Sequence, residues 1–208
     1  MACKHRFLGY HAEGSLLPDW PVAYLFIGTF NPGWDFDKGE HAPYFYGRTR
    51  NNYFWDLLPM LWGQSPLRQA PVSRWLAFLQ AQRIGLTDMI TSIQDADPHN
   101  PLHVRWLQDR SDSNLVRFRQ LTYHTAAIKQ YMAIHHAHLK GIFVTNKKAP
   151  GPIEAEIQQV AAAAQRYQLP FVRLMTPSGA ARFHLPKGSK LLTGLFRAWK
   201  EAVDPLLV

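Results

Sequence analysis

The chain has 208 residues, 47% of them hydrophobic and 13% aromatic, which is enough for one sizeable core, short for two, and excludes disorder as its main state. Lys and Arg total 23 against 15 Asp and Glu, and the formal charge of +8 suits a polyanionic partner better than a small ligand. A single cysteine, Cys3, excludes an internal disulfide framework, a thiolate-held zinc and a cysteine-ligated iron–sulfur cluster.

No stretch approaches the roughly 18 consecutive apolar residues of a membrane span, and the charged start is followed by no apolar run. A soluble cytoplasmic chain forming one domain, residues 1–208, is expected. Residues 22–27 (VAYLFI) read as a strand buried on both faces. A Pro/Gly-punctuated stretch follows, and then Tyr53, Phe54, Leu57, Leu58 and Leu61 fall at helical spacing. Residues 75–82 read as a second short helix and 84–91 as a brief strand or strand-like edge. Residues 98–113 turn polar with no clear period and read as a surface insertion. Leu115, Phe118, Leu121, Thr125, Ile128 and Met132 mark one face of a long helix, followed by a buried strand at 141–145. Ile157, Val160, Ala161, Ala164 and Tyr167 form another helical stripe, residues 171–175 a strand, and Leu192, Leu195, Trp199 and Val203 a closing helix. Strands separated by crossover helices imply parallel pairing, hence an α/β sandwich of about four main strands.

In such a sheet ligands bind beyond the carboxyl ends of the strands. The loops there carry Asn31, Lys147, Lys148, Ser178 and Arg182, which together read as a phosphate-facing cleft. The central glycine of the dinucleotide fingerprint and the Gly-Lys-Ser/Thr of a P-loop are both missing, which argues against a Rossmann oxidoreductase or an NTPase. Between the first loop and its helix, residues 43–55 interleave aromatics with Arg48 and Arg50, a mixture suited to base stacking beside a phosphodiester backbone. His135, His136 and His138 do not share one helical face, so no metal site is expected.

Gly28-Thr-Phe-Asn-Pro-Gly33, Tyr44-Phe-Tyr-Gly47 running into Asn52-Tyr-Phe-Trp55, Ile84-Gly-Leu-Thr-Asp88 and Thr176-Pro-Ser-Gly-Ala-Ala-Arg182 resemble, in order and spacing, the motifs of the uracil-DNA glycosylase superfamily, nearest its mismatch-specific (Mug/TDG-like) branch. The resemblance spans residues 23–182. It implies a three-layer α/β/α fold and hydrolysis of the N-glycosidic bond of a flipped-out damaged base, uracil or a related deaminated base, by a monomer that needs no cofactor or metal. It implies that Asn31 orients the attacking water and that Tyr46 stacks on the extruded base, with Gly28, Thr29, Phe30, Asn51 and Thr176 shaping the base pocket. Ser178, Gly179, Ala180 and Arg182 would contact DNA and supply the wedge that fills the vacated stack, with Arg48, Arg50 and Lys147 on the phosphates.

The chemistry is consistent with those residue types. Cleavage of a deoxyribosyl bond passes through an oxocarbenium-like state, so a site must hold a water in line and stabilise an anionic leaving group, and an amide can do the first. Unstacking costs a few kcal/mol, which an aromatic platform offsets at ~1–3 kcal/mol per base. The first motif carries one extra residue, which leaves Asp35, Asp37 and Glu40 as alternatives to Asn31. The aromatic segment leaves Phe45 as an alternative to Tyr46. Ala180 occupies the place of a bulky wedge, which leaves Phe183 or Leu185 for that role and points to single strands. The rival reading is a catalytically silent nucleic-acid-binding module of the same fold.

Overall fold

Alternation of side chains along short apolar strands divides the interior into two halves, one on each face of a parallel sheet. The computed structural model describes residues 2–36, 41–109 and 111–207. In chain order these form β1 (Cys3–Lys4), β2 (Tyr24–Gly28), α1 (Phe54–Leu61), α2 (Val72–Ala81), β3 (Ile84–Asp88), β4 (Ile90–Ile93), α3 (Pro101–Asp109), α4 (Asp112–Leu115), β5 (Leu121–Tyr123), α5 (Thr125–His135), β6 (Gly141–Val144), α6 (Gly151–Arg166), β7 (Phe171–Arg173) and α7 (Leu191–Val203), with a 3-10 turn at Gly179–His184.

The four parallel strands lie in the order β3-β2-β6-β7. Tyr24 and Phe26 of β2, with Ile84, Leu86 and Phe143, pack on α1, α2 and α7 through Leu57, Leu58, Phe78, Leu195 and Trp199. Leu25 and Ile27, with Ile142 and Val144, pack on the other side against Ile128 and Met132 of α5 and Ile153, Ile157 and Val160 of α6. The result is the α/β arrangement the sequence implies, a four-stranded parallel sheet flanked by helices. Phe54, Trp55 and Leu58 are fully buried.

Three expectations are corrected. Residues 84–88 form the expected brief strand, β3, buried and paired in register with β2 at the edge of the parallel sheet, but the segment does not run on to 91: β4 leaves that sheet and joins a second, antiparallel one of order β1-β4-β5. The long helix from Leu115 to Met132 does not exist; α4 ends at Leu115, Leu121 and Tyr123 pair with Ile93 and Ile90, and α5 begins at Thr125. Its apparent stripe arose because Leu115, Phe118, Ile128 and Met132 all point into one core cluster from different elements. The polar stretch at 98–113 is not featureless either. It carries α3, which starts at Pro101, where a missing N–H costs nothing, and the start of α4.

Candidate functional site

The loops beyond the carboxyl ends of the parallel strands enclose a cavity of about 1010 Å³. Local chemistry explains why they converge. After β2 the chain is stitched to the N-terminal strand, with Arg6 N–H donating to the Asn31 carbonyl and Gly33 N–H to that of Lys4. Gly33 is required there, since a Cβ would lie 2.6 Å from the Lys4 carbonyl oxygen. The aromatic segment is tied to the loop after β7 by the Asn52–Ser178 bridge and by Tyr53 N–H donating to the Pro177 carbonyl. Arg68, which sequence reasoning missed, stacks over the Tyr53 ring at 4.7 Å and donates to the carboxylate of Asp56 and to the carbonyls of Thr49 and Arg50, fixing the loop that carries the arginines.

Of the residues expected at the site, Gly28, Thr29, Phe30, Asn31, Tyr46, Arg48, Arg50, Asn51, Thr176, Ser178 and Ala180 line this cavity. Lys147, Gly179 and Arg182 do not; Lys148 takes the wall position instead, and Arg182 is exposed on the 3-10 turn. Among the alternatives, Phe45 is fully buried in the core, and Asp35 is 84% exposed and paired with Arg6 at 2.9 Å. Asp37 and Glu40 lie outside the described residues. Leu185 packs against Gly194 of α7, whereas Phe183 is 87% exposed.

Three acidic residues, Asp88, Asp109 and Asp112, also line the cavity, and none was singled out from the sequence as a site residue. Asp88, the last residue of β3, is buried, and its Oδ2 accepts from His5 Nε2 at 2.7 Å and from Asn31 Nδ2 at 2.7 Å. His5 Nδ1 accepts the Phe7 N–H at 3.1 Å, so the ring proton is on Nε2 and faces the carboxylate. The amide of Asn31 is therefore held in one orientation, its nitrogen spent on Asp88 and its Oδ1 presented as an acceptor. Behind Asp88 the buried His124 has its pKa pushed down to about 4, chiefly by burial and then by His5, which keeps that imidazole neutral.

The second acid, Asp112, comes from the start of α4 and accepts from Asn146 Nδ2, and the nearby Thr29 hydroxyl also favours its charged form. Burial raises its pKa above the ordinary carboxylate range, and the charge of Asp88 adds to the rise against the hydrogen bonds. Asn146 is placed by Arg173, whose guanidinium donates to the Asn146 carbonyl and forms a two-pronged pair with Glu154 at 3.1 and 3.0 Å.

Tyr46 forms the aromatic wall. Its ring stacks on Phe54 at 3.8 Å with an interplanar angle of 8°, and its backbone is left-handed (φ 55°), a strained conformation for a bulky residue of the kind that clusters at ligand sites. The Thr145 hydroxyl donates to the Ile27 carbonyl, so the Tyr46 hydroxyl donates to Thr145 Oγ1 at 2.9 Å. Burial, followed by the charge of Asp88, holds the phenol well above its ordinary pKa, and it stays a donor. Gly28 lies against both groups: a Cβ there would overlap Asp88 Oδ1 and sit 2.7 Å from the Tyr46 oxygen. Gly28→Ala should accordingly cost about 1–3 kcal/mol through overpacking, measured as a lower denaturant midpoint with unchanged slope. An unchanged midpoint would show that the cavity floor yields without cost.

No protein-family model and no curated protein sequence matches this chain. Its fold is similar to the solution NMR structure of a "putative Uracil DNA glycosylase" from Methanosarcina acetivorans, at 18% identity and a TM-score of 0.54, over 90% of this chain and 92% of that one.

Proposed function

We propose that the protein is a DNA glycosylase that hydrolyses the N-glycosidic bond of uracil or a related deaminated base, acting as a monomer in base excision repair. The observation that carries this reading is the single fixed orientation of the Asn31 amide at the floor of a cavity walled by Tyr46 and flanked by Arg48, Arg50 and Lys148. The fold likeness supports the class of reaction, and the placement in the mismatch-specific branch rests on the sequence motifs.

In this mechanism the strand is held through its phosphates by the cationic residues while one nucleotide turns out of the stack into the cavity. Phe54 covers one face of Tyr46, and the extruded base stacks on the other. Asn31 Oδ1 accepts a hydrogen bond from a water and holds it on the sugar side of the scissile bond; the bond to the base breaks with its electron pair, and the water oxygen joins the sugar carbon. Donors at the cavity wall stabilise the departing base anion.

The test is base release from labelled oligonucleotides carrying uracil, hypoxanthine, xanthine or ethenocytosine, in single strands and opposite each normal base, with alkaline cleavage of the abasic product. Product from one of them establishes the activity and names the base. No product, together with salt-sensitive binding, would identify the chain as a recognition module of the same fold. Arg182, exposed beside the last loop, is assigned to phosphate contact. Arg182→Ala should weaken binding uniformly across sequences and reduce the slope of log K against log salt by about 1. An unchanged slope would remove Arg182 from the interface.

A further inference from the structure

The cavity contains a carboxylate that the mechanism above leaves idle. Asp88 is committed: one of its oxygens takes both the His5 and the Asn31 donors, and its contribution is to hold Asn31 in place. Asp112 differs in kind. Its described side-chain donor, Asn146 Nδ2, comes from the loop after β6, and Thr29 from the loop after the adjacent strand β2 lines the same cavity, while a carboxylate has about four acceptor sites. Thr29 is two residues from Asn31, so one short loop ties the water-holding amide and this carboxylate to a common frame. An amide oxygen can orient a water but cannot remove its proton, whereas a carboxylate can do both.

We infer that Asp112 is the proton acceptor for the attacking water, with Asn31 as its orienting partner. This rests on the glycosylase reading and deepens it. As the water oxygen bonds to the sugar carbon, the glycosidic bond breaks with its electron pair going to the base. The water's proton passes to Asp112, which returns it to solvent, and the base anion takes up one proton from solvent. Water is the only co-reactant and atoms balance: the products are an abasic sugar carrying the hydroxyl and the neutral base.

The surroundings raise the basicity of this carboxylate. The charged and titratable groups that act on Asp112 are Asp88 at the end of β3, Arg173 on β7 and Tyr46, and Lys148, Asp109, Arg48 and Arg50 line the same cavity. Burial and Asp88 raise the proton affinity of Asp112 and so bring its titration closer to working pH. The sign follows: base release is supported above the raised pKa and is lost as pH falls through it.

The experiment is single-turnover base release by the full chain, across pH, for wild type, Asp112→Asn and Asp112→Ala, the last with and without added formate, alongside DNA affinity and thermal melting. Asp112→Asn is expected to lower the rate constant about 10²–10⁴-fold and to remove the acidic limb of the profile while affinity changes little. Formate should restore part of the rate to Asp112→Ala. A wild-type rate and acidic limb in Asp112→Asn would overturn the inference, as would loss of rate with no rescue in folded Asp112→Ala, which would make Asp112 a brace for Thr29 and Asn146. If wild type itself releases no base from any of the substrates, the glycosylase reading fails, and that outcome is visible before any variant is compared.

Discussion

Asn31→Ala is expected to reduce base release by about 10²-fold or more while DNA affinity stays within a few-fold of wild type. The size follows from positioning: loss of in-line placement of a water costs on this scale even when every other group is retained. Affinity should survive because the cationic residues on the cavity wall, Arg48, Arg50 and Lys148, do not depend on Asn31, and the backbone of the loop is held independently by Arg6 N–H on the Asn31 carbonyl. The substitution leaves Asp88 still bonded to His5, so the floor of the cavity should stay folded. Single-turnover kinetics with parallel fluorescence anisotropy separate the two effects. Full activity in this variant would shift the holding of the water onto Asp112 alone.

How far the sequence reveals this site depends on how local each signal is. The Asn31 turn and the loop at 176–182 are short motifs after strands and reach the cavity because their positions follow from crossover topology, whereas Tyr46 reaches it from the aromatic segment that leads into α1. Asp88 was visible as the last residue of a strand-like segment and of the motif at 84–88, neither of which gave it a role. Its role arises from partners 83 and 57 residues away in sequence, His5 and Asn31, and no pattern within a window reports such pairing. A charged residue closing a mostly apolar strand was a further local signal, because a buried carboxylate is costly unless it is bonded. His5 was hidden further, since β1 is two residues long and belongs to a separate sheet.

Asp112 was illegible for a different reason. α4 has four residues, less than the span over which a helical period can be read, and the polar composition of 98–113 resembles that of a solvated loop. The same composition serves a different purpose here, bringing Gln108, Asp109, Ser111 and Asp112 to the cavity wall. The false helix at 115–132 shows the converse error. Residues that share a core cluster from several elements can imitate the period of one, and only the strand pairing of Leu121 and Tyr123 separates them.

The second large effect is expected at Asp88. Asp88→Ala strips the acceptor from two donors at once, His5 Nε2 and Asn31 Nδ2, and the His5 side chain is 0% exposed, so water does not replace what is lost. Leaving such partners unpaired should cost about 3–5 kcal/mol. Asp88→Asn keeps one side-chain oxygen able to accept from both and should cost less, about 1–3 kcal/mol, though with its amide nitrogen now against Gly28 and Tyr46. Urea unfolding of both variants, repeated in a His5→Ala background, forms a cycle that isolates the pair. If the buried hydrogen bond to His5 sustains the carboxylate, the cost of Asp88→Ala falls by at least about 1 kcal/mol once His5 is gone. Strict additivity would show that His5 contributes packing against Phe7, Phe30 and Phe45 alone and that Asn31 is oriented by Asp88 without the N-terminal strand. Because the same bond also fixes the amide of Asn31, the stability and activity of Asp88 variants should fall together, whereas those of Asn31→Ala should separate.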